Sequence, residues 1–432
     1  MFVEKLETIV FYLLILFLPT QLGKHFWPDF SLISGIRIDY LSPTLYVTDI
    51  LVFLLLLVWF IQKIQSTKFK VQKSKFRIFL LVLCFFFLNI YLSHNIWNGI
   101  YHLLKLLEFS FLTYYVASMI RTVRQIKKIF FLLGVGVLGE SFLAIAQFVL
   151  QSSIGGLLYL FGERTFTSMT PGIANANISG RLLLRSYGTF SHPNVLAGFL
   201  LVSMICLLFS LPWIRKGFEK FFWIVILFFG SSALLLTMSR LAVVLWVALL
   251  VVVLLYQFQQ TIHKIIVALL IFGSILFMLL ATPFGARLLQ TNLGEESVVQ
   301  REVLIQSSIT LFSRQPIVGI GLGNFIPQLS TIQKPLTLGL YLQPVHNIFL
   351  LVLVETGIIG FGFFIILLVK TYRKLFTDVR VTTQLLSSRI FLITLSVMLI
   401  LGLFDHYWLT LQQGQLLLSL MLGLSWTKPS AS

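Results

Sequence analysis

The chain has 432 residues, of which 58% are hydrophobic and only 11% are charged, and its mean hydropathy is +0.95. A soluble globule of this size needs more polar surface than this composition supplies, so the numbers exclude a cytosolic enzyme and a disordered scaffold. The net charge of +17 does not indicate a nucleic-acid binder, because the basic residues are spread through the loops between apolar segments.

Twelve apolar segments follow one another along the chain, each long enough to cross a bilayer core about 30 Å thick as a helix. They centre near residues 14, 54, 85, 109, 140, 203, 229, 249, 274, 357, 398 and 418. Lipid-facing strands would alternate polar and apolar residues instead. The continuous runs therefore predict an all-α, polytopic transmembrane helical bundle that forms a single membrane domain over residues 1–432.

The basic residues predict the orientation of this bundle, because short loops rich in Lys and Arg lie on the cytoplasmic side. If the chain starts inside, 21 of its 32 basic residues fall in inside segments and ten fall outside. Both termini are therefore expected in the cytoplasm. The outside set holds eight Arg and two Lys, and since guanidinium groups bind phosphate or carboxylate through two hydrogen bonds, this bias suggests anion recognition.

Two predicted external segments, residues 151–191 and 283–345, are longer than ordinary connections, and long loops in compact proteins are usually functional. The first is rich in Gly, Ser, Thr and Asn and carries Arg164, Arg181 and Arg185. The second contains apolar residues at helical spacing, which predict a helix at about 295–313 lying over the membrane as a cap.

His346 opens the tenth apolar segment, where the second long loop meets the bilayer. An imidazole with an ordinary pKa near 6.5 suits a general base, although a histidine capping the first turn of its own helix explains the position equally well. Glu355 cannot form a dyad with His346 on a straight helix, because nine residues place it half a turn out of phase and about 13 Å further along. We expect Glu355 to bond to a neighbouring span.

Arg240 lies at the outer junction of the seventh and eighth segments with no acidic residue nearby in the sequence, and Arg185 lies just before the sixth segment. Each could bind an anion, but contact with lipid headgroups is the simpler explanation for either one alone. The external carboxylates are spread over two loops, so no metal site is predicted.

Two further patterns indicate structure. Gly319-Ile-Gly-Leu-Gly323 lacks the preceding strand and the following lysine of a phosphate loop, so it predicts a turn that permits close packing. Lys105 and Glu108 lie three residues apart in the fourth segment and are expected to form a structural ion pair, because no second span offers a matching chain of carboxylates.

Taken together, several segments resemble the O-antigen ligase superfamily in their order and topology. They are Arg185 to Ala197, Ser239-Arg240, Arg301-Glu302 leading to Gln315 through Phe325, and His346-Asn347 followed by Glu355, Gly357 and Gly360. The resemblance implies a multi-pass glycosyltransferase at the extracytoplasmic face of the inner (cytoplasmic) membrane, surrounded by membrane lipids. Its donor would be an undecaprenyl diphosphate-linked glycan, its acceptor a hydroxyl of a glycan, lipid or protein, and it would need no cofactor and no metal.

The resemblance also implies roles for individual residues. Arg185 and Arg240 would bind the donor diphosphate, and His346 would be catalytic, activating the acceptor hydroxyl. Supporting positions are Arg181, Arg164, Arg301 and Asn347.

Three other functions remain open from the sequence. A polysaccharide polymerase of the same superfamily would share these residues. A transporter or flippase of lipid-linked sugars would also explain twelve spans and external arginines, although such proteins place binding groups near the membrane midplane in repeated halves. An assembly partner in envelope synthesis would not depend on any of the named residues.

Overall fold

The structure is a computed structural model, and it describes residues 2–65, 73–178, 180–214, 217–253, 268, 273, 296–332, 341–381 and 385–429. Within these residues the protein is mainly α-helical, with three two-stranded antiparallel hairpins in the connections. The hairpins pair β1 (Gly23–His25) with β4 (Thr44–Tyr46), β2 (Leu32–Ile33) with β3 (Ile36–Arg37), and β5 (Asn175–Ile178) with β6 (Arg181–Leu184).

The helices follow the apolar segments of the sequence. The first eight are α1 (Phe2–Leu16), α2 (Val47–Gln65), α3 (Lys73–Tyr91), α4 (Ile96–Met119), α5 (Val123–Leu150), α6 (Pro193–Ser210), α7 (Gly217–Leu236) and α8 (Arg240–Val252). The others are α9 (Glu296–Arg314), α10 (Phe325–Ile332), α11 (Ile348–Val381), α12 (Leu385–Gly402), α13 (Tyr407–Thr410) and α14 (Gln412–Ser425).

Eleven of the twelve predicted span centres fall inside these helices, and the one near residue 274 lies outside the described residues. Five helices in the described part are long and apolar enough to cross a membrane: α2, α5, α6 with the turn that follows it, α7 and α11. The all-α membrane architecture is thus confirmed, whereas the number of twelve spans stays a prediction. The helix predicted at about 295–313 is present as α9.

The apolar core is centred on α6, all of whose residues except the half-buried Asn194 are buried. A helix that is apolar on every side is typical of the interior of a bundle, and α6 packs between α5, α7 and α12. Pro193 at its first position fits a helix start, where the missing N–H has no partner to lose. The rigid N-terminus of α6 therefore provides a fixed platform for the residues just before it.

The glycine-rich stretch 319–323, which we call the glycine turn, packs against a break in α11. Gly319, Gly321 and Gly323 all have positive φ, and α11 is interrupted at Gly357, where φ is 62° and ψ is −171°. A Cβ added to Gly319 would overlap the backbone nitrogen of Gly357. The sequence prediction of a turn permitting close packing is confirmed.

The break in α11 leaves backbone groups without partners inside the helix. These groups form hydrogen bonds with the glycine turn and with the residues just before it. The N–H of Ile320 donates to the carbonyl of Val354 (3.1 Å), and the N–H of Ile358 donates to the carbonyl of Pro316 (2.9 Å). Because buried backbone polar groups need partners, these bonds stabilise both the break and the turn.

The carboxylate of Glu355 bonds to no neighbouring span among the described residues, so that expectation is wrong, although its backbone carbonyl accepts from Asn89 of α3 at 2.9 Å. Its carboxylate accepts hydrogen bonds from the backbone N–H of Gly323 (3.0 Å) and of Phe325 at the start of α10 (3.3 Å). A carboxylate at a helix N-terminus satisfies backbone donors that have no partner within the helix. Sequence spacing could not reveal this role, because the partners lie 30 or more residues away.

The ion pair of Lys105 with Glu108 is present at 3.3 Å, but Lys105 also contacts Asp49 of α2 at 2.6 Å and Gln412 of α14 at 3.1 Å. The expected ion pair is thus present, and a second span adds a single carboxylate to it, that of Asp49. The cluster joins three helices, in keeping with the tendency of ionisable residues in membrane helices to face the bundle interior and pair with one another.

Candidate functional site

The site forms where α11 begins and α12 ends. These helices pack against one another as antiparallel neighbours, so the residue before α11 and the turn after α12 meet at one end of the pair. His346 comes from the first position, and Asp405 and His406 come from the second. The Asp405 carboxylate accepts the N–H of His406 at 2.8 Å, which fixes this turn locally.

Three side chains converge there, and one ligand-type atom of each lies within 4.8 Å of the other two: His346, Asp405 and His406. We call these three residues the histidine–aspartate cluster. The two imidazole rings meet edge to face with centroids 5.1 Å apart. The Nδ1 atom of His346 is buried and makes no hydrogen bond to a described residue, so it retains unused hydrogen-bonding capacity.

The second imidazole is held firmly. Nδ1 of His406 lies 2.6 Å from the hydroxyl of Thr410, one turn further on in α13. The ring of Tyr40, from the connection between α1 and α2, packs edge to face on His406 at 5.5 Å. The environment of Tyr40 raises its pKa above the ordinary value, first through burial and then through the charge of Asp405, so its hydroxyl stays protonated at neutral pH.

Arg185 reaches the same cluster through Asn194, the second residue of α6. Arg185 donates from Nε to the carbonyl of Thr237 (2.8 Å) and from Nη2 to the amide oxygen of Asn194 (2.7 Å). The amide nitrogen of Asn194 then donates to the carboxylate of Asp405 (3.0 Å). A buried guanidinium and a carboxylate are thus joined by one neutral side chain.

The charges around the cluster set its protonation. Burial lowers the pKa of His346, Asp405 acts in the opposite direction, and Arg301 lowers it further. Burial also lowers the pKa of His406, to about 4. Both imidazoles are therefore neutral at pH 7. The pKa of Asp405 lies below its ordinary value, because the charges that the neighbouring histidines carry in acid, together with the bond from Asn194, outweigh the opposing effect of burial; the carboxylate is therefore ionised at pH 7.

The other predicted arginines take different positions. Arg301 on α9 lies close enough for its charge to act on both His346 and His406. Arg240 is the first residue of α8, half-buried, three residues after the Thr237 carbonyl that accepts from Arg185.

Three supporting positions remain. Arg164 is exposed, with Nη2 bonded to the carbonyl of Ser191 at 2.7 Å. The backbone of Arg181 belongs to β6, but its side chain lies outside the described part of the structure. Asn347 accepts the N–H of Leu350 at 3.0 Å and so caps the first turn of α11. The first turn of α11 is therefore capped by Asn347, the residue after His346.

Four residues of the site were not predicted from the sequence: Asp405, His406, Asn194 and Tyr40. An Asp-His pair at the outer end of an apolar segment is itself a signal that could have found the first two, because charged residues there need a partner or a function. Asn194 and Tyr40 carry no such signal, because their importance depends on which residues they meet in space.

The histidine–aspartate cluster is also the group of described residues that could hold a metal ion. Two imidazoles and one carboxylate are common ligands of transition metals, and this grouping was not expected from the scattered external carboxylates. However, the guanidinium groups of Arg185 and Arg301 lie nearby, and their positive charges favour an anion over a dication.

Residues 224–365 match the family model described as O-antigen ligase. No curated protein matches the chain at a significant level. The matched third of the chain includes Arg240, Arg301 and His346, whereas Arg185 and Asp405 lie on either side of it. The resemblance to the O-antigen ligase superfamily stated from the motifs is thereby confirmed over residues 224–365, a third of the chain.

Proposed function

We propose that this membrane glycosyltransferase is of the ligase type and moves a glycan from an undecaprenyl diphosphate carrier to an acceptor hydroxyl. We place the reaction at the extracytoplasmic face of the inner membrane. The observation that carries the proposal is the position of His346: a neutral, largely buried imidazole lies beside an ionised carboxylate, the charge of Arg301 acts on it, and Arg185 is joined to the carboxylate through Asn194. The O-antigen ligase match supports the enzyme class.

In the first half of the reaction, His346 acts as a general base. A neutral imidazole takes the proton of the acceptor hydroxyl as the oxygen attacks the anomeric carbon. The imidazolium that forms is stabilised by the negative charge of Asp405. The buried, unbonded Nδ1 of His346 gives this ring room to change its hydrogen bonds during the reaction.

In the second half, the bond between the anomeric carbon and the diphosphate oxygen breaks, and the electron pair leaves with the undecaprenyl diphosphate. Guanidinium groups in a poorly hydrated site stabilise this developing charge. Arg185, Arg240 and Arg301 are the side chains that we assign to this task, with Arg164 at the exposed edge. Attack from the face opposite the leaving group inverts the anomeric centre.

The positive surroundings of the cluster support a mechanism without a metal, since the arginines supply the charge that a dication would otherwise supply. In this proposal the three residues of the histidine–aspartate cluster bind and move protons.

The proposal is tested by reconstituting the purified protein in liposomes with carrier-linked glycan and candidate acceptors. His346→Ala should lower the rate of glycan transfer by about 10²- to 10⁴-fold while donor binding stays nearly unchanged. His94→Ala is the matched control, because His94 is exposed and lies before α4, outside the site. Unchanged turnover in His346→Ala would remove this residue from the mechanism.

The same assay separates a ligase from a polymerase. A polymerase uses a second carrier-linked glycan as its acceptor, so the lengthened product stays on the lipid carrier. A ligase releases the carrier and leaves the glycan on a different acceptor. Recovery of product exclusively on the carrier would assign the polymerase reaction instead.

A further inference from the structure

Asn194 connects two oppositely charged groups that the proposed reaction uses separately. Its amide oxygen accepts from Arg185 and its amide nitrogen donates to Asp405. The orientation of the amide is fixed by chemistry, since a guanidinium has only donors and a carboxylate has only acceptors. A neutral amide is therefore inserted between a cation and an anion that would otherwise pair.

A direct pair would weaken both functions. Guanidinium and carboxylate groups form short bidentate contacts, which would occupy the donors of Arg185 and neutralise the charge of Asp405. The neutralised carboxylate would no longer stabilise a protonated imidazole at His346. The amide makes one hydrogen bond to each group and leaves both charges in place.

The position of Asn194 makes this separation rigid. It is the second residue of α6, whose first turn is capped by the side chain of His192 through a bond to the N–H of Asn194 (3.1 Å). The helix below it is buried along its whole length. Because both its backbone and its side chain are bonded, Asn194 cannot withdraw without breaking the helix start.

We propose that Asn194 is a positioning residue whose amide keeps Arg185 from pairing with Asp405. The guanidinium thereby remains directed to the diphosphate of the donor, and the carboxylate remains directed to the imidazole. The inference rests on the proposed transferase function and adds to it a residue outside the matched family region.

The first test is Asn194→Ala in the reconstituted transfer assay. Without the amide, Arg185 should pair directly with Asp405. This pairing should raise the donor KM roughly tenfold and lower kcat on the order of a hundredfold, as small misplacements of reacting groups do. Adding Asp405→Asn should lower kcat no further, because the carboxylate is already neutralised. Asn177→Ala is the matched control, an exposed asparagine that bonds only locally, to the N–H of Gly180, in the same external loop.

A charge-swap variant separates positioning from simple structural support. In Asn194→Asp combined with Asp405→Asn, both hydrogen bonds of the bridge can form and the net charge is unchanged, but the carboxylate faces Arg185 instead of His346. We expect a folded protein, checked by its thermal unfolding in detergent, that still transfers on the order of a hundredfold more slowly than the original.

Two results would overturn the inference: near-normal transfer by the charge-swap variant, or normal KM and kcat in Asn194→Ala. If His346→Ala is inactive in the same experiment, the transferase proposal survives this failure. If His346→Ala is also fully active, the transferase mechanism fails with it.

Discussion

His346 and Glu355 are nine residues apart at the start of α11, yet their surroundings differ in kind. Both oxygens of Glu355 accept backbone N–H groups, at Gly323 and Phe325. His346 has a buried nitrogen with no hydrogen bond to a described residue and an ionised carboxylate close by. At the glycine turn both carboxylate oxygens of Glu355 are hydrogen-bonded, whereas in the histidine–aspartate cluster one ring nitrogen of His346 is not.

From this difference we expect Glu355 to contribute to structure and His346 to contribute to chemistry. A buried polar group whose bonds are all made stabilises one backbone arrangement. A group with an unused donor or acceptor is costly to keep, and it is available to a substrate. On this basis we expect the glycine turn to hold its connection against α11, and we propose the histidine–aspartate cluster as the site of the reaction.

The largest expected effect comes from exchanging the two residues for glutamine. His346→Gln should lower transfer by about 10²- to 10⁴-fold without changing the unfolding temperature. Glu355→Gln should lower stability by about 1–3 kcal/mol, because one backbone N–H then faces an amide donor, and should cost much less activity. Parallel transfer assays and thermal unfolding measure both. If Glu355→Gln lost more activity than His346→Gln, or His346→Gln lost more stability than Glu355→Gln, the proposed difference in role between the two residues would be wrong.

The second prediction concerns the glycine turn. Gly319→Ala should destabilise the protein by about 3 kcal/mol, because the added Cβ overlaps the backbone at Gly357 and the residue has φ +83°. The control is Gly362→Ala on α11, where an added Cβ meets no atom within 4 Å. The two variants are compared by thermal unfolding in detergent. Equal unfolding midpoints would contradict the close packing of Gly319 against Gly357.

The third prediction sharpens the role of the arginines. Arg240→Lys keeps the positive charge but loses the planar guanidinium, which can donate two parallel hydrogen bonds. The donor KM should therefore rise roughly tenfold while folding is unchanged. The control is Arg314→Lys on the exposed end of α9. A donor KM equal to that of the control would show that charge alone suffices at Arg240.

The smallest effect is a shift in pH dependence. Since the neutral form of His346 is the base and burial lowers its pKa, kcat/KM should be constant near pH 7 and fall on acidification, with a midpoint below about 6.5. The charged and titratable groups around it are Asp405, His406, His192 and Arg301.

Asp405 opposes the lowering of the His346 pKa. Asp405→Asn should therefore move the acid limb of the kcat/KM profile to lower pH, in addition to slowing the reaction. The profile is measured with donor below its KM. A limb that moves to higher pH in this variant would contradict the electrostatic role assigned to the carboxylate.

The sequence by itself determined the mainly helical membrane architecture, the helix at about 295–313, the turn at 319–323 and the resemblance to the O-antigen ligase superfamily. These properties follow from local features: apolar length, helical periodicity, glycine content and the order of motifs. It also placed His346 at a helix start. None of these inferences requires knowledge of which helices are neighbours.

Only the tertiary structure decided what His346 meets. The packing of α11 against α12 brings Asp405 and His406 to it, and the start of α6 brings Asn194. The same holds for Glu355, whose partners come from the glycine turn. The physical reason is that pairing of buried polar groups is a contact between segments distant in the chain, which spacing along one helix does not encode.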